Sequence, residues 1–263
     1  MILSAGCSGQ ENQQGPEGKT AVYPHPDFTI TLEELSEITA DLPESIQQDI
    51  LDRPQYFLQL ILQVLSLPED TLLLVDKGHS LPSDYIPDDL VPLSSYTLSL
   101  NRNDLSLRAR IMPDVLAMNE AARQDGISLV FSSCYRSYEY QQGLYERNVR
   151  ELGKEQADRE SAKPGTSQHQ LGTTVDFGSI TDAFGSTPAG KWLYKHAWEY
   201  GFSLSYPEGY EDITGYRHEI WHYRHITRLG TRIEQEFFQG IQQYFLEFLN
   251  SRVGFLHSKI IAG

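Results

Sequence analysis

Apolar positions between residues 27 and 67 recur at intervals of three and four, the spacing that lines one face of a helix. Leu32, Leu35 and Ile38 form the first stripe, with Thr31 and Glu34 as a capping-box pair at its start. Pro43 opens a second helix carrying Ile46 and Ile50. Pro54 opens a third, with Phe57, Leu58, Ile61, Leu62 and Leu65 on one side. From Thr71 the texture changes. Leu72–Val75 reads as a short strand before the turn Asp76-Lys77-Gly78, and Pro82, Pro87 and Pro92 make 81–93 an extended surface segment. A strong amphipathic helix is predicted over Arg108–Asp125, with Ile111, Val115, Met118 and Ala122 inward and Gly126 as its stop. Ile127–Ser132 is a strand, Tyr138–Leu152 a helix, and Lys191–Tyr200 a short aromatic helix ending at Gly201. A final helix spans about Thr231–Leu249, with Ile233, Phe237, Ile241, Phe245 and Phe248 on its stripe.

Strands and helices alternate without a repeating βαβ pattern, so the expected class is α+β. We expect a small, mainly antiparallel sheet flanked by helices, with a chemical site at the sheet edge, an N-terminal helical appendage and a long C-terminal helix. The corresponding division is a leader end and tether at 1–20, a helical appendage at 21–68, a main domain at 69–230 and a C-terminal helix and tail at 231–263. The 263 residues suit one ordinary domain with a small appendage, and 40% hydrophobic content is enough for a sizeable core. A net charge of −15 argues against nucleic acid or an anionic membrane surface as electrostatic partner. No apolar run approaches the roughly 18 residues of a membrane span. The two cysteines, Cys7 and Cys134, support neither a disulfide framework nor an all-cysteine metal site. Any metal must sit on histidines and carboxylates.

Met1–Cys7 reads M-I-L-S-A-G-C and is followed by a polar, Gly- and Gln-rich stretch to Lys19. It resembles the end of a bacterial lipoprotein signal, although Leu3 stands four places before Cys7 where the usual pattern has three. A tail with a chance cysteine is the plainer alternative. With Cys7 lipidated, the polar stretch is a tether that lets a folded domain reach away from its anchor.

Three clusters carry chemistry: Ser167-Gln168-His169 through Asp176, Glu219-Ile220-Trp221-His222, and Tyr135-Arg136-Ser137-Tyr138 with Gln141 just beyond. His169, Asp176 and His222 offer two imidazoles and a carboxylate, a normal catalytic zinc set that leaves a fourth position for water. Glu219 is close enough in sequence to His222 to act as base on that water, whose pKa zinc lowers. Arg136 offers a fork for a carboxylate or for an oxyanion. Each cluster alone has a plainer reading, such as a His–Asp hydrogen bond, or a salt bridge from Arg136 to Glu139.

Together the clusters resemble the VanY-type D-alanyl-D-alanine carboxypeptidases, a group of zinc metallopeptidases. That family's Ser-x-His-x-x-Gly-x-Ala-x-Asp appears as Ser167, His169, Gly172 and Asp176, with Thr174 in place of the usual Ala. Its Glu-x-Trp-His appears as Glu219, Trp221 and His222, with Ile220 where Pro is common. Its Tyr-Arg-Ser-Tyr-x-x-Gln is Tyr135, Arg136, Ser137, Tyr138 and Gln141. The segments 72–90, 164–172 and 201–209 are similar too, and the resemblance spans about 70–230. It implies Zn2+ on His169, Asp176 and His222, Glu219 as general base, and Arg136 holding substrate or oxyanion. Ser167, Gln141, Tyr135 and Ser137 would serve as substrate contacts. It further implies removal of the terminal D-alanine from peptidoglycan stem peptides, in the cell envelope.

Two competing readings remain. His218-Glu219-Ile220-Trp221-His222 is a literal H-E-x-x-H, which in a zincin puts two ligands on one helix face. The β-leaning aromatic residues around it speak for a strand, but on a strand Glu219 and His222 would point to opposite faces. A bend between them is then required. A non-catalytic peptidoglycan-binding module is the second alternative, and it has no use for Glu219. The sequence leaves the oligomeric state open.

Overall fold

The computed structural model describes residues 22–261. Cys7 and its flanking segment lie outside the described residues. Three helices come first: α1 (Leu32–Ile38), α2 (Glu44–Asp52) and α3 (Pro54–Leu65). The capping box at the start of α1 forms, with Glu34 N–H donating to Thr31 Oγ1 at 3.1 Å and Thr31 N–H to Glu34 Oε2 at 2.9 Å. Next are β1 (Leu90–Pro92), β2 (Ser99–Leu100), β3 (Ser106–Arg108), α4 (Met112–Gln124) and β4 (Val130–Ser133). They are followed by α5 (Tyr138–Leu152), α6 (Lys154–Glu160), β5 (Thr174–Phe177), α7 (Pro188–His196), β6 (Phe202–Leu204) and α8 (Glu211–Thr214). Last come β7 (His222–His225), α9 (Thr227–Phe237) and α10 (Gln242–Ser258).

Five strands form one sheet in the order β2-β4-β5-β7-β6, antiparallel except for the β2–β4 pair. β1 and β3 make a separate antiparallel ribbon. Strand alternation divides the sheet into two chemical faces. Val175, Phe177 and Tyr223 pack with Val115 and Met118 of α4 and Leu193 of α7 in the main core. Asp176 and His222 are direct partners in the β5–β7 register and stand on the other face. The site therefore lies where two interior strands pair, at the strand end that His222 opens, rather than along an outer strand.

Three expectations change. Leu72–Val75 is not a strand: among the described residues no strand pairs with it, Leu74 packs into the helical core and Val75 packs on Leu81 and Leu171. A four-residue apolar run cannot by itself distinguish a strand from a buried connector. The helix expected from Arg108 starts at Met112, because Arg108 closes β3 and is held by Asp70, Asp88 and Asp89. The C-terminal helix is two helices, α9 and α10. Gln239 and Gly240 take positive φ values of 56° and 72°, which breaks the helix at the turn.

The two ends of the chain share one hydrophobic core. Leu35, Ile46, Phe57 and Ile61 from the first three helices pack with Ile233, Phe237, Phe245 and Phe248 of α9 and α10. Backbone bonds from Thr29 N–H to Lys259 O (2.8 Å) and from Ile261 N–H to Asp27 O (2.9 Å) close the unit. Arg252 bonds Asp41 at 2.8 Å across the same seam.

Candidate active site

A tight loop brings His169 to the sheet. Gln168–Leu171 is a single 3₁₀ turn closed by Gly172 N–H donating to His169 O at 3.1 Å. Gly172 has φ +70°, and a Cβ there would lie 3.0 Å from both Arg108 Cγ and Leu90 Cδ2. Glycine alone suits that backbone and that space. The chain then reverses into β5 and presents Asp176 to the imidazole seven residues before it.

His169, Asp176 and His222 each offer one ligand atom, all within 4.8 Å of one another, and all three are buried. His169 Nε2 is 3.2 Å from Asp176 Oδ2, and His222 Nδ1 is 3.1 Å from Asp176 Oδ1. The rings meet edge to face with centroids 4.9 Å apart. Each imidazole's other nitrogen is already engaged. His169 Nδ1 donates to the Cys134 carbonyl at 2.6 Å, and His222 Nε2 faces Gln168 Oε1 at 3.2 Å. That leaves Nε2 of His169 and Nδ1 of His222 as free electron pairs aimed at one point. Asp176 Oδ1 is buried and, among the described residues, accepts no hydrogen bond of good geometry, its nearest polar neighbour being His222 Nδ1 at 3.1 Å. A buried acceptor left this way, beside two inward imidazole nitrogens, fits a divalent cation with a preference for N and O ligands.

The electrostatics agree. Burial pushes Asp176 upward, but His169, His222 and Arg136 outweigh it and hold the carboxyl well below its usual range. Burial, reinforced by Arg136, lowers His169 to about 4, so its ring is neutral near pH 7. Burial also opposes charge on His222, yet its contacts with Asp176 and Glu219 raise its pKa. With the His169 ring neutral and the Asp176 and Glu219 carboxylates beside the two imidazoles, the cluster is a receptor for a cation.

Glu219 reaches the cluster through a bend. Residues 217–221 are neither helix nor strand, and His222 N–H donates to Glu219 O at 3.1 Å in a turn that precedes β7. The turn cancels the strand parity that would have separated the two side chains, and Glu219 Oε2 lies 3.4 Å from His222 Nδ1. His218 turns away, with Nδ1 3.0 Å from the Tyr206 carbonyl, and takes no part in the cluster. Without a helix through H-E-x-x-H, the zincin arrangement is excluded.

Arg136 enters from the loop between β4 and α5. It donates through Nη2 to Asp176 Oδ2 at 2.6 Å, through Nε to Ser133 Oγ at 2.9 Å and through Nη1 to Gln141 Oε1 at 3.3 Å. Its ion-pair partner is thus Asp176, not Glu139. Gln141 is buried and ties the guanidinium to the Ala162 carbonyl at 2.7 Å. Arg136, Ser167, His169, Asp176, Glu219 and His222 all line one open cavity of about 320 Å³. Tyr135 and Ser137 lie beside it instead: both line a smaller neighbouring pocket with Arg136, and Ser137 caps α5 by accepting from Tyr140 N–H at 3.2 Å.

Some participants were not singled out from sequence. Gln168 and the Cys134 carbonyl orient the two imidazoles, and Tyr206 lays its ring 4.7 Å from that of His222. Gln168 stands next to His169 in the chain, but nothing local signals a side chain aimed at His222, 54 residues away.

A family model described as VanY, D-alanyl-D-alanine carboxypeptidase, matches residues 104–228. The chain is 32% identical over 257 residues to a putative carboxypeptidase, YodJ, of Bacillus subtilis strain 168, covering 93% of this chain and 91% of that one. Among solved structures, the LdcB LD-carboxypeptidase aligns with TM-score 0.62 and 32% identity, over 67% of this chain and 86% of its own. A zinc-bound mutant of the vancomycin-resistance D,D-pentapeptidase VanY aligns with TM-score 0.58 and 32% identity, over 69% of this chain and all of its own.

Proposed function

The chain belongs to the VanY family of D-alanyl-D-alanine carboxypeptidases, and from that premise we propose that it is a zinc-dependent carboxypeptidase removing the terminal D-alanine of peptidoglycan stem peptides. The observation that carries this reading is Glu219 Oε2 at 3.4 Å from His222 Nδ1, a carboxylate poised beside a His-Asp-His donor set. A module that only binds peptidoglycan has no use for such a base. His169, Asp176 and His222 would hold the ion. Zinc there supplies a Lewis acid that polarises a carbonyl and lowers the pKa of water.

The chain's own groups do the rest. Glu219 accepts the proton of the attacking water and returns it to the departing D-alanine nitrogen. Arg136, with two of a guanidinium's five N–H donors free of partners in the site, faces the cavity where oxyanion charge develops. Gln141 holds that guanidinium, and Ser167 lines the floor beside His169. Tyr206 and Trp221 wall the cavity with apolar surface and so restrict water at the reacting bond.

The place of action is the cell envelope, with Cys7 as the point of lipid attachment. No helix among the described residues is long and apolar enough to cross a membrane. A labelled fatty acid incorporated by the wild type and not by Cys7→Ala would support the anchor. Activity is tested with defined muropeptides ending in D-Ala-D-Ala or in a single D-Ala, read by mass spectrometry. Loss of one alanine from the first substrate, abolished by a chelator and restored by zinc, is the expected result. Attack on the second substrate alone would make the enzyme L,D-specific. Attack on neither by zinc-loaded protein would overturn the reading.

A further inference from the structure

His222 Nε2 is held by a buried polar chain that leads away from the cavity to the C-terminal helix. Gln168 Oε1 lies 3.2 Å from His222 Nε2 and also accepts from Ser205 Oγ at 2.7 Å. Gln168 Nε2 donates to Gln242 Oε1 at 3.0 Å, and Ser205 Oγ lies 3.4 Å from the same oxygen. Gln168, Ser205 and Gln242 are all at most 3% exposed, so no bulk water can replace a lost partner. Gln242 is the first residue of α10 and lies outside the stretch matched by the family.

An amide has two orientations, and here they are not equivalent. With Nδ1 of His222 turned to the ion, Nε2 carries the ring proton and requires an acceptor. Only one orientation of Gln168 supplies it. Rotating that amide would set its NH₂ against the imidazole N–H and turn its oxygen to the oxygen of Gln242. The acceptor oxygen of Gln242 thus selects the useful orientation, and the Ser205 hydroxyl favours the same one. Gln242 Nε2 itself has no partner among the described residues.

We propose that Gln168 is a positioning residue of the metal centre and that Gln242 on α10 locks its amide, so that His222 keeps the tautomer that ligates through Nδ1. The proposal rests on the zinc site described above. It makes the terminal helical unit a determinant of metal affinity, because α10 must be docked for Gln242 to reach Gln168.

The test uses full-length protein stripped of metal, zinc titrated against a competing chelator, and the visible spectrum of the Co(II)-substituted form. Gln168→Met and Gln242→Leu should each lower zinc affinity about 10–100-fold and shift the Co(II) bands. The metal-free melting temperature of Gln242→Leu should fall modestly, because buried Gln168 Nε2 loses its acceptor, so zinc affinity is measured well below that transition. Gln168→Glu should retain zinc affinity within a few-fold, since a carboxylate has no NH₂ to misplace and accepts from Nε2 and from the Ser205 hydroxyl in either orientation. Wild-type zinc affinity in Gln242→Leu, or a Gln168→Glu as weak as Gln168→Met, overturns the proposal. If Gln168→Met does not fold, Gln242→Leu and Gln168→Glu decide it. A wild type that takes no zinc defeats the proposed function itself, which separates that failure from this one.

Discussion

Arg136 donates to Asp176 Oδ2 at 2.6 Å, and the same oxygen lies 3.2 Å from His169 Nε2. The guanidinium thus has two roles: it offsets the buried charge of the Asp176 carboxylate and lines the cavity with the donors it has left. Arg136→Ala should lower kcat/KM by about 10²–10³. Arg136→Lys should not restore it, because one ammonium cannot bond Ser133, Gln141 and Asp176 in fixed directions. Kinetics paired with thermal melting checks this. A variant that melts early yet turns over normally would make Arg136 purely structural.

Glu219→Gln removes the proton acceptor while keeping size and the backbone turn to His222. Zinc content and melting temperature should be close to those of the wild type, and kcat should fall by at least about 10²-fold. Near-normal turnover with confirmed zinc would place the base elsewhere.

Phe57 joins the two ends of the chain. Its ring sits 5.1 Å from Phe237 and 5.8 Å from Phe248, and it is fully buried. Phe57→Ala should destabilise by about 3–5 kcal/mol, as expected for a large ring removed from a closed core. Urea denaturation measures it. A loss below 1 kcal/mol would mean that α3 is only loosely docked on α9 and α10.

Glu234 gives a pH dependence of stability. Burial pushes its carboxyl from an ordinary 4.5 up to about 8, against the lowering effect of the Ser203 hydroxyl. Between these values the folded chain holds a proton that the unfolded chain has lost. Folding then takes up a proton, so this group's contribution falls as pH rises through the window and levels off above about 8. The slope is at most about 1.4 kcal/mol per pH unit. Glu234→Gln cannot ionise, so its stability relative to the wild type should rise from pH 5 to pH 8. Equal differences at the two pH values, by denaturant titration, would show that the carboxyl is not raised.

Much of the site was legible because its parts are local. His169 and Asp176 are seven residues apart, Glu219 and His222 three, and each pair spans one turn and the start of the strand that follows it, so its residue types announce the chemistry together. Helical stripes were equally plain, since periodicity is a property of neighbouring residues. Even so, the stripe over 231–249 ran straight through the break at Gln239 and Gly240, because the apolar positions on both sides of that turn are buried in the same core.

The chain's residues alone pointed to the groups of the candidate site, to histidine and carboxylate as the donors open to a metal, and to the α+β class. Tertiary structure decided how they are presented. It chose the nitrogen each imidazole keeps free, by supplying the Cys134 carbonyl to one ring and Gln168 to the other. It placed Glu219 beside His222 through a turn that strand periodicity could not foresee, and it merged the terminal helices into one core. It also set Gln242 against Gln168 across 74 residues of sequence. Sequence patterns register which side of an element is apolar within a turn or two of chain. They hold no record of which distant polar atom fills a buried valence, because that depends on how the elements dock.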